Sequence, residues 1–140
     1  MASTHDTTLL FHNTMRITPG HLDEFREAIR RAVEFTERHA PQLMVQVFLD
    51  EERMLAHSFQ LYRDSASVLT HWQLSDPYIR DVMKHCSVRA FEVYGEPDQE
   101  VADGLASPEF DFSAAFLPRL AGFTRPLGEP LPGQEPVTGP

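Results

Sequence analysis

The 140 residues suit one domain, long enough to bury a core without disulfide or metal staples. They carry 21 acidic against 12 basic residues, a net charge of -9, which argues against a nucleic-acid or anionic-membrane surface. No apolar run approaches the roughly 20 residues of a membrane span, and Met1 to Thr8 has neither a basic stretch nor an apolar signal core, so the expectation is a cytoplasmic protein. A single cysteine, Cys86, excludes an internal disulfide and any thiolate cluster.

Thr8 to Ile17 alternates as a strand, with Leu9, Phe11, Asn13, Met15 and Ile17 on one side and Leu10, His12, Thr14 and Arg16 on the other. After Thr18-Pro19-Gly20, apolar residues at steps of three and four (Leu22, Phe25, Ala28, Ile29, Ala32, Val33) predict a helix over His21 to Arg38 with a solvated charged face. Two strands, Gln42 to Leu49 and Met54 to Tyr62, flank the hairpin segment Asp50-Glu51-Glu52-Arg53. Asp64 or Ser65 caps a helix ending near Leu74, and Asp76-Pro77 marks the start of a second, short helix ending near His85. A last strand spans Ser87 to Tyr94.

The order is β-α-β-β-α-β, and right-handed crossovers make it an α+β, ferredoxin-like split β-α-β domain over residues 8–97. Both helices then cover one face of a four-stranded antiparallel sheet. Its other face needs cover, and a second copy supplies it symmetrically, so a homodimer is expected. Residues 98–125 form an extension with a short helix at Asp98 to Ala106. Its residues Phe110, Phe112, Phe116, Leu117, Leu120 and Phe123 are too apolar for a free tail, so it should dock on the body or a partner subunit. The Pro/Gly-rich segment 126–140 suggests a disordered end.

Asn13 is the most informative polar residue, since its place between Phe11 and Met15 turns it toward the helices. A buried carboxamide costs a few kcal/mol unless it finds partners, either nearby backbone or a ligand. Trp72, one turn after Val68, serves as core or as a donor through its indole N–H. His71 beside it reaches the edge of the same cleft, and His85 lies where the second helical region meets strand four. Seven histidines raise the question of a metal. There is no HxH or HExxH spacing, and His12 and His57 lack a carboxylate at ligand spacing along the chain, so no metal is expected. Histidine as acid or base fits better. No Gly-x-Ser-x-Gly or Cys–His pattern points to nucleophilic hydrolysis, and Asp76 fits a helix cap better than a catalytic acid.

The run from His12 through Asn13 to Thr18-Pro19-Gly20, with Phe25 following, resembles the opening of the antibiotic biosynthesis monooxygenase superfamily. So does Tyr62-Arg63-Asp64-Ser65 leading through His71-Trp72 to Ser75-Asp76-Pro77. The resemblance covers residues 8 to 95 and implies a dimeric α/β-barrel. It also implies a cofactor-independent monooxygenase, or a related cyclase-type enzyme, acting with O2 on an aromatic polyketide-like or quinol substrate. Asn13, Trp72 and His71 then take the catalytic positions, with Phe11, Met15, Tyr62, Tyr78 and His85 around the substrate. The haem-degrading branch is the competing implication, sharing the spacing of Asn13 to Gly20 and of Trp72 to Ser75-Asp76, with His85 as the nearest haem ligand. A non-catalytic small-molecule-binding dimer, with Asn13 and Trp72 as mere core, is the third reading.

Overall fold

In the computed structural model, which describes residues 6–108, 112–125 and 132–133, the alternating N-terminal segment forms β1 (Leu9–Ile17). There follow α1 (Leu22–His39), β2 (Met44–Asp50), β3 (Leu55–Tyr62), α2 (Ser65–Met83), β4 (Cys86–Tyr94), α3 (Gln99–Leu105) and β5 (Ala114–Leu117). The first four strands lie in the order β2-β3-β1-β4 and pair antiparallel, the split β-α-β arrangement of a ferredoxin-like α+β fold. The turn into α1 needs a left-handed residue, and Gly20 takes φ 84 there at no steric cost.

Two expectations are corrected. The segment 65–83 is one helix, not two. Pro77 removes an N–H that would meet the carbonyl of Gln73, but both residues are exposed, so water can take that carbonyl and the helix continues. Asp76 therefore caps nothing; it pairs with Arg80 at 2.8 Å one turn on. The cap belongs to Asp64, whose carboxylate accepts from the Ser67 N–H at 2.9 Å, and those bonds hold its carboxyl below the usual range. The sheet also has five strands rather than four, because β5 pairs parallel with the outer edge of β4.

Edge pairing, more than aromatic docking, holds the extension. The Gly95 N–H donates to the Leu117 carbonyl, and the Arg119 guanidinium donates to the Asp6 and Thr8 carbonyls. Phe112 stacks on Phe91 at 4.9 Å, whereas Leu120 and Phe123 are 99% and 77% exposed. Phe110 and most of 126–140 lie outside the described residues. Asp98 caps α3, and Val101 and Leu105 drop from it into the core.

That core is in two parts. Leu9, Phe11, Tyr62, Val68 and Val93 gather with α3 at one end of the sheet. Met15, Ile17, Phe25, Ala28, Ala56 and Val82 gather under α1 and α2 at the other. Asn13 falls on β1 between Phe11 and Met15, at the seam between the two clusters. No helix among the described residues is long and apolar enough to cross a membrane.

Candidate active site

At that seam lies a partly open cavity of about 110 Å³, walled by β1, β2 and β3 below and by α1 and α2 above. Most of its lining is aliphatic: Met15, Ile29, Val33, Val45 and Val47, with Val82 at the α2 end. Into this wall project Asn13, Ser58, Gln60, His71, Ser75 and Tyr78. No carboxylate, lysine or arginine reaches it, so it favours an uncharged molecule with few polar groups.

The polar groups are not equally satisfied. Gln60 is oriented from behind: its Oε1 accepts from the Tyr62 hydroxyl at 2.7 Å and from Gln42 Nε2 at 3.0 Å. Its own amide nitrogen is thereby turned toward Ser58 Oγ, 3.5 Å away. Tyr62 is buried at 1% exposure, and desolvation pushes its phenol well above the ordinary value, so it acts as a neutral donor. His71 and Ser75, one helical turn apart, share a hydrogen bond of 2.9 Å between Nδ1 and Oγ. Both are buried, and burial pulls the His71 pKa down to about 4, so the ring is neutral at pH 7. Asn13 Oδ1 is buried with no partner among the described residues. Gln42 Oε1 is in the same state. An unpaired buried carbonyl costs about 1–3 kcal/mol, and Asn13 carries that cost at the cavity wall.

Of the residues singled out from sequence, Asn13, His71, Met15 and Tyr78 line this cavity. Tyr62 stands one hydrogen bond behind it. Phe11 packs instead against Tyr62 and Phe91 at the far core. Trp72 packs on that same cluster and against α3, where a Cβ on Gly104 would meet its ring at 2.5 Å. His85 is elsewhere too, with Nδ1 facing Nδ1 of His21 at 3.1 Å across the foot of α1, so the residue proposed as haem ligand does not line the cavity. Ser58, Gln60 and Ser75 were not singled out. The strand period was a sufficient signal for the first two: with Ala56 and Tyr62 they share the helix-facing side of β3.

No family model matches the sequence, and no curated protein matches it significantly. Solved structures do. MupZ from Pseudomonas fluorescens superposes with a TM-score of 0.68 at 20% identity over 85% of this chain and 95% of its own. SnoaB from Streptomyces nogalater, a cofactor-independent oxygenase, gives 0.56 at 10% identity over 66% of this chain and 96% of its own. A candidate antibiotic biosynthesis monooxygenase from Bacteroides thetaiotaomicron gives 0.53 at 19% identity over 62% and 85%. The fold is that of the antibiotic biosynthesis monooxygenases. The two lower shares are about the length of the β1–β4 unit, whereas the MupZ share exceeds it and takes in part of the extension. At these identities the likeness to the monooxygenases is one of backbone, and chemistry has to be argued from the cavity.

Proposed function

We propose that the protein is a cofactor-independent monooxygenase whose substrate is a small, neutral, electron-rich phenol or quinol held in the sheet–helix cavity. The observation that carries the reading is the unpaired Asn13 carbonyl and the neutral His71 lining one cavity that has no charged side chain in its wall. A phenolic or enolic O–H is the donor that Asn13 lacks. At about 110 Å³ the cavity is smaller than the ~150 Å³ apolar cavity that takes up benzene, so it holds no more than one ring, with part of that ring reaching into its open side; fused-ring substrates would require α1 and α2 to part.

The chemistry needs little from the protein. His71 accepts the substrate proton at a ring nitrogen, and the resulting imidazolium is stabilised by the substrate anion it faces, which offsets the burial that otherwise disfavours charge. The anion transfers electrons to O2 and a carbon–oxygen bond forms, giving a ring hydroperoxide. The O–O bond then breaks, with loss of water, to leave a hydroxyquinone. Quinol plus O2 thus becomes hydroxyquinone plus H2O: the substrate is oxidised, and one oxygen atom of O2 is reduced to water. The Gln60 amide and the Ser58 hydroxyl are placed to hydrogen-bond oxygen as it gains negative charge. Ser75 fixes the His71 ring.

A homodimer belongs to the same proposal. The sheet face opposite the helices carries Phe48, 56% exposed, packed on Phe59, an apolar surface suited to a second copy. Sedimentation should then give twice the chain mass. The test of the chemistry is incubation with a small quinol under labelled O2. One labelled atom should appear in the quinone and one in water; label-free product, or turnover that survives His71→Gln undiminished, contradicts the reading.

A further inference from the structure

The other face of the sheet holds a second cluster that the cavity does not use. The β1–β4 register sets His12 directly opposite Glu92, and the β1–β3 register sets Thr14 opposite His57, so four polar side chains from three strands meet at one point. His12 Nε2 lies 3.0 Å from His57 Nδ1, and Thr14 Oγ1 lies 3.3 Å from the first and 3.5 Å from the second. These three donors form a triangle. A tetrahedral ion with bonds of about 2.0–2.1 Å to nitrogen and oxygen keeps its donors roughly 3.3–3.4 Å apart. The observed edges bracket that value.

The side chains are also prepared for such a role. Glu92 Oε1 sits 2.9 Å from His12 Nδ1, which places the proton on Nδ1 and leaves the Nε2 lone pair directed at His57 and Thr14. A carboxylate behind a ligating imidazole is the usual second partner of a metal-bound histidine. Phe59 stacks on the His12 ring at 4.3 Å and 9°, and Thr14 is buried, so two of the three donors are held in place. The net charge of -9 adds a general attraction for cations.

We propose that His12, His57 and Thr14 form a binding site for a divalent transition-metal ion such as zinc, with Glu92 orienting His12. Two imidazoles and a hydroxyl leave a fourth position open for water or a ligand. Spacing along the chain gives no HxH or HExxH motif and no carboxylate near His12 or His57; Glu92 is 80 residues from His12 in sequence and adjacent to it across the sheet. The described residues contain no group of three or more His, Cys, Asp or Glu side chains poised for a metal, so the Thr14 hydroxyl is what completes this set. All donors come from one chain, but they lie on the sheet face that the proposed second copy would cover, with Phe59 stacked on His12, so in the dimer the fourth position faces the partner subunit.

The test is a cobalt(II) titration of tag-free, full-length protein, followed by its visible d–d absorption, with zinc(II) displacing it. The expected result is one ion per chain, a spectrum of low-coordinate cobalt, and about 10–100-fold weaker binding in Glu92→Gln. The double variant His12→Ala/His57→Ala should abolish the band. His21→Ala/His85→Ala, which removes the other facing histidine pair, should leave it unchanged. X-ray absorption of the zinc-loaded wild type gives a second readout that no variant's folding can obscure, and should show two imidazoles. No saturable binding, a band lost with His21 and His85, or a zinc shell without two imidazoles overturns the proposal.

Discussion

His71 couples the site to stability in a way that can be measured. Its pKa falls from about 6.5 in an unfolded chain to about 4 in the fold, because burial disfavours the imidazolium. Between those two pH values the unfolded chain binds a proton that the folded chain refuses, so stability falls as pH falls. The His71 contribution is intact above about pH 6.5 and has been lost by about pH 4. The maximum slope for one group is ~1.4 kcal/mol per pH unit, so the interval amounts to about 3 kcal/mol. His71→Gln removes the titrating group while leaving Ser75 a polar partner. Urea unfolding of both proteins, at one protein concentration and at intervals from pH 7.5 to 4, isolates the effect. The stability of the wild type relative to the variant should be flat above pH 7 and drop by about 3 kcal/mol by pH 4. A difference that stays flat across the whole range would refute the claim that the ring is buried and neutral.

Other expectations follow from particular contacts. Asn13→Leu should leave stability unchanged or raise it by up to about 2 kcal/mol, since it removes an unpaired carbonyl; thermal unfolding checks this, and a large loss would mean that Asn13 is bonded after all. Gly104→Ala should destabilise by about 1–3 kcal/mol despite better helix propensity, because its Cβ would sit 2.5 Å from the rigid Trp72 ring. Measured against Trp72→Leu alone, the same Gly104→Ala change should cost little, a coupling read from the double-mutant cycle in the same melts. Asp64→Ala should cost about 1 kcal/mol through the lost cap on α2, read by denaturant midpoint. Cys86 is buried and its thiol is pushed up to about 11, so alkylation at pH 8 should be slow in native protein and become fast in urea.

Element order and the facing of β1 were legible because period-two and period-3.6 patterns report directly on which side is buried. Leu9, Phe11, Met15 and Ile17 are all at or below 3% exposure, as their alternation requires. Pro77 reads as a helix boundary because proline usually breaks or kinks a helix; α2 runs through it on an exposed side, where water can take the freed Gln73 carbonyl. β5 was invisible because a four-residue strand takes its identity from the edge it joins. At the cavity, strand alternation accounts for the inward turn of Asn13. Adjacent helical residues diverge by about 100°, so Trp72 turns to α3 while His71 turns to the cavity. Glu92 was unreadable in principle, since only register across the sheet brings it to His12.

The most direct test of the account is oxygen uptake by metal-stripped protein with a small quinol, comparing wild type with Asn13→Leu at matched stability. We expect uptake in the wild type without added cofactor and a fall of about a hundredfold in kcat/KM for the variant, which loses the acceptor that positions the substrate hydroxyl. Equal rates in the two proteins would mean that the cavity between the sheet and its helices is not where the reaction occurs.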